Sequence, residues 1–372
     1  MRALTVNLAR VNLARMNLAR MNLAQMNLAQ MNLARLDVAR INVVRIGVVR
    51  RFVSLALAGA AACMLLPVSC LAQTWPDKPI RLIVPFPPGG VADLIARPVA
   101  QKMSMALGKP VIVENRGGAT GTIGASYVAH AEPDGYTLLL GTTNEIAMSP
   151  SLYKTLPYDP NQAFQPVTTI ASFPNVLVVG VKVPVKNFSE LIALARAKPH
   201  TLTFASSGEG STNHLSAELL KAQAGIDIVH VPYKGGGPAL IDVVGGHVDA
   251  MFATLPSAID LIKSGQLRAL VVTGEHRSNA LPDVPSGRDV GMPGLVVTTW
   301  NGVLAPAGTP PAVVARLHDV LVKAAGDADL QARFAAVGAE TSTVTPQAFA
   351  ATIRSDYDRW AGVIKRAGIT AQ

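Results

Sequence analysis

Three times in this chain a short, β-branched apolar run stops at a glycine- or proline-rich turn and gives way to a helical pattern. That punctuation constrains the fold more than any other feature. Strands that alternate with helices through short turns build α/β layers with parallel strands. The first junction runs from Arg81 through Phe86, Pro87, Gly89 and Gly90 to Asp93. In the second, a strand over residues 201–205 meets Ser206, Ser207, Gly208, Gly210 and Ser211, and a helix then carries His214 toward Gly225. The third passes from His230 through Tyr233, Lys234 and Gly235 to Pro238. Further strands are expected over residues 80–84, 111–114, 137–140, 176–179, 228–231, 248–253 and 267–272. Thr309-Pro310 and Thr345-Pro346 each predict a helix start with a capping hydroxyl before a first-turn proline. A stripe of Phe349, Ile353, Tyr357, Trp360 and Ile364 predicts a core-facing helix face.

Composition divides the chain. Net charge is +9, but nine arginines and one acid, Asp37, lie in residues 1–51, and residues 52–72 carry no charge. The rest is nearly balanced, which argues against nucleic acid as a partner. Both cysteines, Cys63 and Cys70, fall in the uncharged segment. Neither a disulfide framework nor a thiol nucleophile is therefore expected beyond it. The seven histidines lack metal-ligand spacing, so neither metal nor cofactor is expected. Residues 73–372 suit two α/β domains.

From Val6 the chain repeats every five residues on a pattern close to Met-Asn-Leu-Ala-Arg. Five residues turn a helix by about 140°, so the leucines form no single stripe. The pattern resembles a pentapeptide-repeat coil, yet is too short to stack well. Residues 1–51 are accordingly expected to be a disordered extension, or to lie upstream of the true start. Arg50-Arg51, the apolar run 52–66, Pro67 and the small residues ending at Ala72 describe a secretory signal. Cleavage near Ala72 and a periplasmic product are expected.

The glycine turns point to ligand binding. Backbone N–H groups at a helix start favour an anion, and Gly89 and Gly90 admit a ligand to the main chain. Asp93 is expected to cap or orient those amides. The Ser206–Ser211 loop offers hydroxyls, and Tyr233 and Lys234 are placed to meet a carboxylate. The strand exit at Thr142, Thr143 and Asn144 makes a fourth loop. Gly117, Gly118 and Gly121 read as a loop-to-helix packing motif. Ligands of open α/β sheets bind outside the carboxyl ends of the strands, so two such halves suggest a clamshell receptor.

Taken in order, Trp75-Pro76-Asp77, the Phe86 to Gly90 loop, Glu114-Asn115-Arg116-Gly117, Pro133-Asp134-Gly135-Tyr136, the His230 to Gly235 run and Ala305-Pro306-Ala307-Gly308 resemble the tripartite tricarboxylate transporter substrate-binding family. This is the Bug family of periplasmic solute receptors. The resemblance implies an α/β, two-domain, Venus-flytrap (type II-like) periplasmic-binding-protein fold, preceded here by a signal peptide. Domain 1 would comprise residues 73–174 and 297–372, and domain 2 residues 175–296. It implies a monomer that captures a small carboxylated solute and presents it to membrane transport subunits or to a sensor protein, without catalysis. Phe86–Gly90, Thr142–Asn144 and Ser206–Ser211 match the family's ligand-holding loops. Ser149 and Ala163 depart from the family pattern at positions away from those amides. Glu145 also departs and is expected to face solvent, the rival being a rim carboxylate that favours a positive group. Two other functions compete: an exported serine hydrolase using Ser207 or Ser211 with His214, and an interaction protein built on the N-terminal repeat.

Overall fold

The computed structural model describes residues 15–33, 35 and 75–369. The expected signal segment and cleavage site lie outside them. Contacts divide the chain into two units, 1–72 and 73–372. Of the first unit, residues 15–33 form helix α1, exposed along its whole length. This differs from the pentapeptide-coil reading. Leucine, alanine, methionine, arginine and glutamine all favour helix, and the 140° step spreads the leucines around it instead of making a face. Among the described residues no helix is long and apolar enough to cross a membrane.

The second unit opens with β1 (Ile80–Val84), α2 (Val91–Leu107), β2 (Val111–Asn115), α3 (Thr122–Ala129) and β3 (Thr137–Thr142). A π-helical turn, Asn144–Met148, leads into α4 (Ser149–Leu152) and then β4 (Phe164–Gly180). Next come α5 (Phe188–Ala197), β5 (Thr203–Ser206), α6 (Thr212–Ala224), β6 (Val229–Pro232), α7 (Gly236–Gly245), β7 (Ala250–Thr254), α8 (Leu255–Lys263) and β8 (Leu267–Val272). The chain closes with β9 (Thr298–Pro306), α9 (Pro311–Ala325), α10 (Ala328–Ala336), β10 (Glu340–Thr341) and α11 (Pro346–Ala367).

Strands β2, β1 and β3 are parallel, with β9 inserted antiparallel between β3 and β4. The second half repeats the scheme: β6, β5 and β7 are parallel, and β4 is inserted antiparallel between β7 and β8. Strand β4 thus serves both halves. It pairs with β9 from Phe164 to Pro174 and with β7 from Asn175 onward. Helices cover both faces of each half. Ile95 and Val99 of α2 pack with Leu317 of α9 on one face of the first half, and Ala125 of α3 with Phe349 of α11 on the other. Leu220 of α6 and Leu240 of α7 mark the two faces of the second half.

Local signals fare differently. Thr345 caps α11 as expected, accepting the Ala348 N–H at 3.2 Å. Thr309 does not cap α9. Its hydroxyl donates to the Pro306 carbonyl at 2.7 Å, and the helix begins at Pro311. Of the α11 stripe, Phe349, Ile353, Trp360 and Ile364 are buried in the core, whereas Tyr357 is only half-buried.

Candidate functional site

The carboxyl end of β1 leads into residues 85–90, where sequence and fold conspire to leave amides free. Gly89 lies at φ +78°, a backbone region open to glycine and strained for other residues. Gly90 is the N-cap of α2 and has no side chain to cap with. The N–H groups of Gly90, Val91 and Ala92 have no acceptor among the described residues. Asp93 takes the orienting role. Its carboxylate accepts the Gly89 N–H at 3.0 Å, a two-pronged bond from Arg97 at 2.8 and 2.9 Å, and the Asn115 amide at 3.0 Å. Burial opposes its charge, but these bonds outweigh burial and hold the carboxyl below the usual carboxylate range. Asn115 also donates to the Phe86 carbonyl at 3.0 Å.

The expected glycine packing motif braces this loop. A Cβ on Gly124 would lie 2.7 Å from the Arg116 carbonyl oxygen and 2.8 Å from Pro85 Cα, so only glycine lets α3 approach. At Gly121 a Cβ would fall 3.0 Å from Glu145 Oε2, which brings α3's entry against the strand exit of β3.

Glu145 corrects the sequence reading. It is fully buried and neither faces solvent nor lines a rim. Its Oε1 accepts the Thr142 N–H, and Oε2 lies 2.6 Å from the Thr142 hydroxyl. The π-helical turn curls the carboxyl back under its own strand end, where burial raises its pKa to about 8. Asn144 reaches the other half: its Oδ1 accepts the Thr212 N–H at 3.3 Å. Thr143 accepts the Trp300 N–H at 3.2 Å.

In the second half, Ser211 is the N-cap of α6. Its hydroxyl accepts the His214 N–H at 3.3 Å and donates to the Gly208 carbonyl at 2.7 Å. Ser207 donates to Asn213 Oδ1, and Gly210 donates to His214 Nδ1 at 3.1 Å. Ser206 Oγ sits 2.7 Å from His230 Nε2, and the rings of His214 and His230 stack at 3.7 Å. Burial pushes both histidines down to about 4, so both are neutral near pH 7. Tyr233 donates to Asp242 at 2.6 Å, and its N–H donates to the Ser206 carbonyl at 3.0 Å. Lys234 is exposed, and the start of α7 at Gly235 carries no side-chain cap.

Contacts therefore run from residues 85–90 through Gly121, Glu145, Thr142, Asn144 and Thr212 to the Ser206 loop and Tyr233. The arrangement offers free amides at the start of α2, which suits an anion, and brings beside them hydroxyls of the second half that are already bonded within their own loop. It does not suit hydrolysis. Neither Ser207 nor Ser211 meets the His214 ring, whose Nδ1 is already an acceptor. The serine–imidazole contact that does exist, Ser206 with His230, went unforeseen because its partners are 24 residues apart and lie on neighbouring strands. Among the described residues no cluster of His, Cys, Asp and Glu could hold a metal.

Known proteins agree with this architecture. Residues 95–369 match the family model described as tripartite tricarboxylate transporter family receptor. The protein BugT of Bordetella pertussis is 39% identical over 317 residues, covering 85% of this chain and 95% of its own. Rpa4515 of R. palustris, solved with adipate, is 38% identical with a TM-score of 0.76, covering 80% of this chain and 99% of its own. MatC of Rhodopseudomonas palustris, solved with malate, is 33% identical with a TM-score of 0.72, covering 78% and 100%. The fold is thus the α/β, two-domain fold of periplasmic binding proteins, and the chain belongs to the tripartite tricarboxylate transporter receptor family.

Proposed function

We propose that this protein is a non-catalytic periplasmic receptor that closes two lobes over a small carboxylated solute and presents it to the membrane subunits of a tripartite transporter. The observation that carries this reading is the uncapped start of α2, where the Gly90, Val91 and Ala92 amides lack acceptors among the described residues. A helix start of this kind supplies partial positive charge without a cationic side chain. The relatives that hold adipate and malate support the solute class. The lobes would be residues 73–174 with 297–372, and residues 175–296. The change of pairing partner at Pro174 and Asn175 supports the first boundary. Phe86–Gly90, Thr142–Asn144 and Ser206–Ser211 would line the cleft. Asp93 and His214 would act from behind it, and the exposed Lys234 at its rim.

Calorimetry of the exported protein against mono-, di- and tricarboxylates, with amines as controls, tests the reading. One-to-one binding of at least one carboxylate is expected, and no saturable binding to any would overturn it. Export itself predicts a mature protein whose first residue is Gln73, which N-terminal sequencing of the periplasmic fraction would read. Retention of the Met-Asn-Leu-Ala-Arg repeats in that fraction would contradict a cut near Ala72.

A further inference from the structure

Among the described residues the first half of the fold leaves Trp75 Nε1, Arg116 Nε, Ser149 Oγ and Trp360 Nε1 singly buried without partners, and three more such atoms close together on one strand. The binding reading above gives none of them a role. The three are Thr299 Oγ1 and both amide atoms of Asn301, near the start of β9. Thr299 is 4% exposed and Asn301 1%. Buried polar atoms are nearly always hydrogen-bonded, because leaving one unmade costs about 1–3 kcal/mol. Three unmade at alternate positions of one strand call for an explanation.

Their placement supplies it. Along β9, Trp300 and Leu304 share a cluster with Phe349, whereas Val303 and Ala305 share one with Ile95 and Val99 of α2. A Cβ on Gly302 would strike the Phe349 ring at 2.3 Å, which confirms the assignment of faces. Alternation along the strand therefore puts Thr299 and Asn301 on the face that α2 covers. Asn301 pairs with Thr142, the last residue of β3, and Thr299 with Phe173, next to the point where β4 changes halves. Both residues thus stand at the end of the sheet where the uncapped start of α2 and the β3 exit loop lie.

We infer that Thr299 and Asn301 form a second polar subsite in the floor of the cleft. It would take a neutral group that both donates and accepts, a hydroxyl or an amide, carried by the carboxylated solute. The inference rests on the receptor reading and adds a selectivity to it. The Asn301 carboxamide presents a donor and an acceptor side by side, and the Thr299 hydroxyl complements either. A fully ionised plain dicarboxylate brings acceptors only and would leave Asn301 Oδ1 unpaired. A site built around such groups discriminates against an analogue that lacks the matching group.

The test is calorimetry with probe pairs differing by one hydroxyl, succinate against malate and glutarate against 2-hydroxyglutarate. The wild-type protein is expected to prefer the hydroxylated member of at least one pair by about tenfold, the weight of a hydrogen bond plus an unpaired partner. Asn301→Leu should collapse that preference to about twofold or less while leaving the plain diacid bound. The empty variant should melt no lower than wild type, since an apolar group of similar shape relieves the unmade bonds. If Asn301→Leu fails to fold, the isosteric Thr299→Val carries the same test, with the preference expected to fall about threefold. Carboxylate binding with no hydroxyl preference in wild type, or with the preference intact in the variant, overturns the subsite and leaves the receptor reading standing. Absence of binding by every probe overturns both.

Discussion

Glu145→Gln is expected to stabilise this protein at neutral and alkaline pH and to do little in acid. The carboxyl is fully buried and its pKa is raised to about 8 by burial, against about 4.3 in an unfolded chain. Between those values the native state holds a proton that the unfolded state releases. The stability Glu145 permits is therefore complete below about pH 4.3 and is lost as pH rises toward 8, at about 1.4 kcal/mol per unit. Glutamine keeps the geometry without the titration. Its oxygen would accept the Thr142 N–H as Oε1 does, and its amide would donate to the Thr142 hydroxyl, the direction open to a protonated carboxyl where the ionised Oε2 accepts from that hydroxyl. Urea denaturation at about pH 5 and about pH 8.5 should show the variant's advantage growing to several kcal/mol. Equal stability of the two proteins across that range would mean that Glu145 is charged in the native state.

Asp93→Ala should do the opposite, destabilising the fold and weakening solute binding together. The change strips acceptors from the Gly89 N–H, from Asn115 and from Arg97 at once. Removing one partner from a buried network costs more than the bonds themselves contribute, here about 2–4 kcal/mol. The same carboxylate holds Gly89, so residues 85–90 should lose their fixed path and carboxylate affinity should drop at least about tenfold. Denaturation and calorimetry on one preparation check both effects. Asp93→Asn should recover part of each, because its oxygen still accepts. A variant that binds like wild type would show that the loop holds its shape without Asp93.

Much of this fold is legible in the sequence because each element states itself locally. The runs 80–84 and 267–272 alternate with glycine turns, and both emerge as the strands β1 and β8. The α11 stripe has helical spacing and a threonine–proline start. The long crossing strands do not declare themselves. Strand β4 contains Pro166 and Pro174, residues that argue against a central strand, and tolerates Pro166 at a shift in its register with β9. Strand β9 begins with threonines and Asn301, a polar opening that reads as a loop. Both strands are held by neighbours far away in the chain, and local pattern carries no trace of that.

The binding loops divide in the same way. Gly89, Gly90 and Asp93 could be read as an amide-rich helix start because the glycines and the acid are adjacent in sequence. Glu145 could not, since only the π-helical turn folds its carboxyl back beneath Thr142. His230 with Ser206, and Asn301 beside Thr142, depend on strand pairing, which brings distant residues side by side.

In the proposed receptor main-chain amides do what cationic side chains do elsewhere, and Gly90→Val tests this directly. Gly90 has φ −78°, and a Cβ there would meet its nearest neighbour, the Pro87 carbonyl, at 3.4 Å. The backbone therefore accepts valine at little cost to folding, while the side chain stands over the start of α2. Calorimetry with whichever carboxylate binds wild type best should show affinity weakened at least about tenfold, with unfolding stability changed by less than about 1 kcal/mol. Undiminished affinity in a folded Gly90→Val protein would contradict the account.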